Sequence, residues 1–83
     1  MEDAIFIVAA ITGDRKEVLR YIFRIKSMMT MYCALYFAAR KGQVRTFVII
    51  LRSGYHFTED ILRLCVKDGP HVIAKIIFKC RIG

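Results

Sequence analysis

Apolar residues recur along the chain in three segments, each organised around a glycine. Gly13, Gly42 and Gly69 lie 29 and then 27 residues apart. Apolar residues occupy the fifth, eighth and ninth positions after each glycine, a spacing that places them on one face of an α-helix. They are Val18, Tyr21 and Ile22; Phe47, Ile50 and Leu51; and Ala74, Ile77 and Phe78. The pattern predicts one helix after each glycine.

A second apolar pattern precedes each glycine, and it predicts a partner helix. The small or β-branched pairs are Ala9-Ala10, Ala38-Ala39 and Cys65-Val66, and three positions upstream of them lie Phe6, Leu35 and Leu62. The sequence therefore predicts six helices in three pairs, near residues 3–11, 15–26, 31–40, 44–53, 59–67 and 70–81. β-Strands compete for 5–10 and 47–51, but the repeated helical spacing favours helices.

Polar residues predict where several helices begin. Asp14, Thr30 and Thr58 each precede or open a predicted helix, and their side chains suit an N-cap. Pro70 suits a first helical position, where its missing N–H costs nothing.

Together these features resemble the ankyrin repeat family. The second segment carries the resemblance best, with residues 34–43 followed by Phe47, Ile50, Leu51 and Gly54. The resemblance spans about residues 4–81. It implies an all-α fold, an ankyrin-type solenoid of three helical hairpins, with repeats near 3–29, 30–57 and 58–83 in one domain over 1–83.

The chain also departs from the ankyrin pattern. No segment contains the family's Thr-Pro-Leu-His signature, and the period is shorter than the usual 33 or so residues. The missing residues fall between repeats, so we expect shortened fingers, the loops that protrude there. A short period is similar to that of ankyrin proteins in large viruses.

Composition limits the possible environments and partners. Apolar residues make up 57% of the chain, and 14 Lys and Arg against 7 Asp and Glu give a net charge of +7. The positive charge favours anionic partners, although it also suits solubility. The apolar runs at 4–11 and 47–51 are too short to span a membrane. With Glu2 and Asp3 in place of a basic leader, these runs predict a cytoplasmic protein without a membrane partner.

No pattern of catalytic or ligand-binding residues is visible in the sequence. The three cysteines lack Cys-x-x-Cys spacing, the glycines are dispersed, and neither His56 nor His71 lies beside a nucleophile. We therefore expect no metal, no cofactor and no enzymatic activity.

The ankyrin resemblance implies a binding surface on the concave side of the repeats. It would use the inner helices, which precede each glycine, and the two variable residues directly before the glycine. The helices that follow each glycine are the outer helices. The partner-binding residues predicted in this way are Tyr32, Tyr36, Arg40, Lys41 and Lys67. A packing role for Tyr36 is the alternative. Met28, Met29 and Met31 beside Tyr32 fit either an adaptable contact or a local plug.

The outer helices carry a second basic set that stacked repeats would line into a stripe. This basic stripe comprises Lys16, Arg20, Arg24, Arg45, Arg52, Lys75 and Lys79. An ordinary solvated face is the alternative interpretation.

Two functions follow from these features. The first is a protein-binding adaptor or inhibitor of an acidic partner, such as a viral or phage factor that acts on a host protein. The second is an RNA-binding protein that uses the basic stripe. In addition, Phe23, Ile76 and Ile82 predict poorly capped repeat ends, and hence a homodimer that buries one end.

Overall fold

Six α-helices build the protein. The computed structural model describes the backbone of residues 1–82 and the side chains of residues 1–81. The helices are α1 (Glu2–Thr12), α2 (Arg15–Tyr21), α3 (Met28–Arg40), α4 (Val44–Leu51), α5 (Glu59–Asp68) and α6 (His71–Ile82). No strand occurs among the described residues, so the predicted all-α class is confirmed and the strand alternatives at 5–10 and 47–51 are wrong.

The helices form three antiparallel pairs that lie side by side. Within the pairs, α1 packs on α2, α3 on α4, and α5 on α6; between them, α3 packs on both α1 and α5, and α2 on α4. Thr30 at the start of α3 donates a hydrogen bond to Asp3 at the start of α1. Gln43, just after α3, donates to the Ile11 carbonyl at the end of α1. Helices α1 and α3 therefore run in the same direction.

The predicted apolar faces form the core in the first two pairs but only in part in the third. Val18, Phe47 and Ile50 are fully buried, as the glycine-based spacing predicts. In α6, Ile77 is buried as predicted, but Ala74 and Phe78 are exposed, and Ile73 is buried although the spacing did not predict it. Gly13 and Gly42 have positive φ angles, whereas Gly69 has an extended backbone with a φ of −98°. The backbone after the third glycine thus follows a different path, and the predicted apolar face of α6 is wrong at Ala74 and Phe78.

The helix starts confirm some of the predicted caps and correct others. Asp14 accepts a hydrogen bond from the Glu17 N–H at 3.2 Å, as an N-cap should. Ser27, rather than Thr30, caps α3. Thr58 stands at the N-cap of α5, but its side chain makes no capping bond. Pro70 precedes the first residue of α6 instead of occupying that position.

Several helix ends also differ from the predicted bounds. Helix α2 ends at Tyr21 rather than near residue 26. The chain forms a tight turn after Tyr21, in which the Arg24 N–H donates a hydrogen bond to the Tyr21 carbonyl. Helix α3 begins three residues earlier than predicted because the Ser27 cap lies upstream of Thr30. No helix within residues 1–82 has the length and apolar content needed to cross a membrane.

Candidate partner-binding groove

An apolar groove runs along the surface between α3 and α5. Its volume is about 310 Å³. Side chains from both helices line it: Met29, Tyr32, Cys33, Tyr36, Phe37, Ile61 and Leu64. We call this feature the α3–α5 groove.

Helical periodicity explains why these side chains share one surface. Met29, Tyr32, Cys33, Tyr36 and Phe37 recur at intervals of three and four residues, so they lie on one face of α3. The other face of α3 is buried in the core. The groove face is only partly covered, and the Met29 side chain remains 70% exposed.

Tyr32 lies at the end of the groove where α5 begins. Its ring packs edge-on against Tyr55 at a centroid distance of 6.3 Å and lies tilted against Phe57 at 5.5 Å. Its hydroxyl oxygen accepts a hydrogen bond of 3.2 Å from the Thr58 N–H. These contacts fix the Tyr32 ring, so this end of the groove has a defined shape.

Tyr36 joins the two helices near the other end of the groove. Its hydroxyl donates a short hydrogen bond to the Asp68 carboxylate in the last turn of α5. This bond raises the pKa of Tyr36, because a carboxylate that accepts the phenolic proton favours the neutral phenol, while the Arg40 guanidinium opposes the shift. Since Tyr32 contacts the start of α5 and Tyr36 its end, α3 and α5 run in the same direction.

The cations predicted for the binding surface lie beyond this end of the groove. Arg40 ends α3 and Lys41 follows it, while Lys67 lies in the last turn of α5; all three are exposed. Because the two helices are parallel, the three cations lie at the same end. The structure thus places Tyr32 and Tyr36 in the lining of the α3–α5 groove, where both also have packing roles, and leaves the three cations outside that lining. Their part in binding stays a prediction.

The residues of the basic stripe lie on the surface of α2, α4 and α6 and in the turns after α2 and α4. All seven are exposed. Arg20 pairs with Glu17 at 3.2 Å, and Arg24 pairs with Glu2 at 3.1 Å. The Arg24 guanidinium also lies 5.7 Å from the centre of the Tyr21 ring. Two members of the stripe are therefore partly neutralised by carboxylates within the described chain.

Sequence reasoning missed four residues that line the α3–α5 groove: Cys33, Phe37, Ile61 and Leu64. A signal for two of them is present, since each segment has a large apolar residue five positions before its glycine, namely Val8, Phe37 and Leu64. The hydrogen bond from Tyr36 to Asp68 was not predicted either.

The cysteines differ in their surroundings. Cys65 is fully buried beside the core, and its burial raises the pKa of the thiol to about 12. Cys33 is half-buried in the groove, and Cys80 is exposed. Within the described residues, no cluster of histidine, cysteine and carboxylate side chains has the arrangement of a metal site.

Comparisons with protein-family models, with curated proteins and with solved structures found no match to this chain.

Proposed function

We propose that this chain is an ankyrin-type domain of three short repeats that binds another protein through the α3–α5 groove. The repeat assignment is supported by the glycine-based spacing and by the parallel row of α1, α3 and α5. In such a row each hairpin covers an apolar face that the next hairpin could not bury alone. The proposal is one of binding rather than catalysis.

The observation that carries this proposal is the exposed apolar wall of the α3–α5 groove. Leu64 of α5 is 45% exposed and Met29 of α3 is 70% exposed, although both helices bury other apolar side chains in the core. Tyrosine, phenylalanine and methionine, which line the groove, are enriched in the centres of protein interfaces. A partner that fills the groove would remove these side chains from water, a favourable change of about 25 cal/mol per Å² of apolar surface.

The charges near the groove favour an acidic partner. Arg40, Lys41 and Lys67 are exposed at one end, where their positive charge speeds encounter with an acidic protein. The apolar groove then supplies the contact area that holds the complex. An adaptor or an inhibitor works in this way, and the short repeat period supports a viral or phage protein with a host partner.

The test compares proteins captured from cells that express tagged variants. Leu64→Asp places a charge in the groove, and a triple variant replaces Arg40, Lys41 and Lys67 by Glu. Val72→Asp is the matched control, since Val72 is exposed but does not line the groove. We expect a protein that wild type and Val72→Asp retain and that both groove variants lose. Identical captured proteins for all four chains would contradict the proposal.

RNA binding through the basic stripe is the second candidate function. Nuclease treatment in the capture experiment distinguishes it from protein binding through the α3–α5 groove. Within residues 1–81, Arg20 and Arg24 are the only stripe members in ion pairs, so the other five cations of the stripe are available to bind phosphates. Protein capture that survives nuclease treatment favours the groove. Capture that disappears with nuclease, and weakens by orders of magnitude between about 50 and 200 mM salt, favours RNA.

A further inference from the structure

The two ends of the hairpin row each carry an apolar groove of their own. The N-terminal groove lies between α1 and α2, has a volume of about 380 Å³, and is lined by Ala4, Ile5, Val8, Ala9, Thr12, Asp14 and Glu17. The C-terminal groove lies between α5 and α6, has a volume of about 240 Å³, and is lined by Glu59, Leu62, Arg63, Val66, Lys67, Ile77 and Arg81.

The N-terminal groove exposes a face of α1 whose equivalent on α5 packs toward a neighbouring helix. Counted from the glycines, Ile5 is equivalent to Ile61 and Val8 to Leu64. Ile61 and Leu64 face α3, the inner helix of the preceding hairpin. No described helix precedes α1, so Ile5 is 37% exposed and Val8 is 57% exposed. The face is thus apolar and lacks the neighbour that its counterpart on α5 has.

The C-terminal groove displays the opposite face of the same pattern. Val66 is equivalent to Ala10 and Ala39, which are both fully buried. Val66 is 42% exposed, because no described helix lies beyond α5 on that side. Leu62, equivalent to two fully buried side chains, is half-buried for the same reason. Terminal repeats of a solenoid usually have polar outer faces, and neither end here has one.

The rim of the N-terminal groove is acidic. Asp14 and Glu17 are its charged lining residues. Asp14 caps α2, and Glu17 pairs with Arg20. Arg20 itself is outside the groove, and an exposed pair of this kind is worth about 1 kcal/mol or less. The carboxylate of Glu17 therefore remains able to meet a cation on another surface.

The rim of the C-terminal groove is basic. Arg63, Lys67 and Arg81 line it, and its one carboxylate, Glu59, is paired with Arg81. Arg63 and Lys67 then face the groove as positive charges. The two end grooves are therefore both apolar but carry rims of opposite sign.

We infer that copies of this chain associate head to tail, with the N-terminal groove of one copy on the C-terminal groove of the next. The inner helix α1 of one copy then packs on α5 of its neighbour, continuing the packing of α3 on α1 and of α5 on α3 within a copy. The rims place Glu17 of one copy near Lys67 of the other. Such a contact joins unlike surfaces and leaves one groove free at each end, so assembly continues beyond a dimer as concentration rises.

The experiment blocks one end at a time and measures mass by sedimentation velocity. Val8→Asp blocks the N-terminal groove and Val66→Asp the C-terminal groove, and both residues are exposed enough to accept a charge. At about 0.15 M salt the Debye length is about 8 Å, which screens the general repulsion between copies. We expect wild type to pass beyond the dimer at high micromolar concentration, each variant alone to be monomeric, and their equimolar mixture to form dimers and nothing larger.

Other results would overturn the inference. One is a wild type that stays monomeric at high micromolar concentration, and another is an equimolar mixture of the two variants that stays monomeric. A third is a loss of association in only one of the two variants, which would mean that like ends pair. Leu19→Asp is the control, because Leu19 is exposed but lines neither end groove, and it should associate as wild type does.

A charge exchange gives a second test if circular dichroism shows that either aspartate variant is unfolded. Glu17→Lys and Lys67→Glu should each weaken association, and the double variant should restore it, because the opposite charges again meet at every contact. Failure of the double variant to recover association would contradict the inference. Neither Val8 nor Val66 lines the α3–α5 groove or belongs to the predicted partner-binding residues, so the result with the two aspartate variants is independent of partner capture there.

Discussion

The hydroxyl of Thr46 donates a hydrogen bond of 3.0 Å to the carbonyl oxygen of Ala10. Thr46 belongs to α4 and is fully buried, whereas Ala10 lies in the last turn of α1. The last four carbonyls of a helix have no partner within that helix. The second hairpin therefore supplies hydrogen-bond donors to the last carbonyls of α1. Besides Thr46, the Gln43 side chain donates a hydrogen bond of 3.1 Å to the Ile11 carbonyl.

Thr46→Val should destabilise the protein although the two side chains are nearly the same shape. The substitution leaves the Ala10 carbonyl without this donor in a buried position, which costs about 1–3 kcal/mol. Urea denaturation measures the loss in the free energy of unfolding. The same substitution at the exposed Thr12 should change it by no more than about 0.5 kcal/mol. Equal effects at the two positions would contradict the role given to Thr46.

Gly69 should tolerate substitution poorly because of close packing rather than backbone strain. A Cβ there would lie 2.7 Å from the Cys65 carbonyl oxygen and 3.0 Å from that of Ala39. Gly69→Asn should therefore lower the free energy of unfolding by about 1–3 kcal/mol. Gly42→Asn is the matched change in open space, where asparagine accepts the positive φ. Thermal denaturation that finds Gly42→Asn the less stable of the two would contradict this account.

Asp68→Asn should lower the pKa of Tyr36. The Asp68 carboxylate accepts the phenolic proton and repels a phenolate, so its removal favours ionisation of Tyr36. Ultraviolet titration of the tyrosines follows this change, and subtraction of the Tyr36→Phe curve isolates the residue. A Tyr36 titration that is the same with and without the Asp68 charge would show that the hydrogen bond is absent in solution.

The three cysteines should differ in their reactivity with iodoacetamide at pH 8. Cys80 is exposed and should react first, whereas Cys65, with its pKa raised to about 12, should stay unmodified until the protein unfolds. Mass spectrometry after timed labelling distinguishes them, and all three should react in denaturant. Labelling of Cys65 as fast as Cys80 in the folded protein would contradict its burial.

The raised pKa of Cys65 also predicts how the stability of the protein changes at high pH. The unfolded Cys65 thiol has its ordinary pKa of 9.0, so above about pH 9 only the unfolded state loses this proton. The contribution of Cys65 to stability therefore falls as the pH rises from about 9 to 12. Cys65→Ala should remove that part of the pH dependence, and identical pH profiles for the two chains would contradict it.

The sequence predicts the helices well because their periodicity is local. Spacing from Gly13 and Gly42 is sufficient to identify Val18 and Phe47 as core residues. In α6 the spacing identifies Ile77 but fails at Ala74 and Phe78, because the path of the chain after Gly69 depends on its close approach to α3, which no local pattern records.

The candidate site is predicted only in part, for a similar reason. Of the five predicted residues, Tyr32 and Tyr36 line the α3–α5 groove and the three cations lie outside its lining, so their common role in binding stays a prediction. The bond from Tyr36 to Asp68 joins residues from two hairpins, so the sequence alone does not distinguish packing from binding there. The interaction of Thr46 with α1 is likewise a contact between hairpins.

Photo-crosslinking in cells tests the binding role of the α3–α5 groove most directly. A photoreactive phenylalanine analogue replaces Met29 in the groove or Leu19 outside it, since both side chains are exposed. The account predicts a nuclease-resistant adduct with a different protein from position 29, its loss in the Leu64→Asp background, and no such adduct from position 19. Adducts from position 19 and none from position 29 would contradict it.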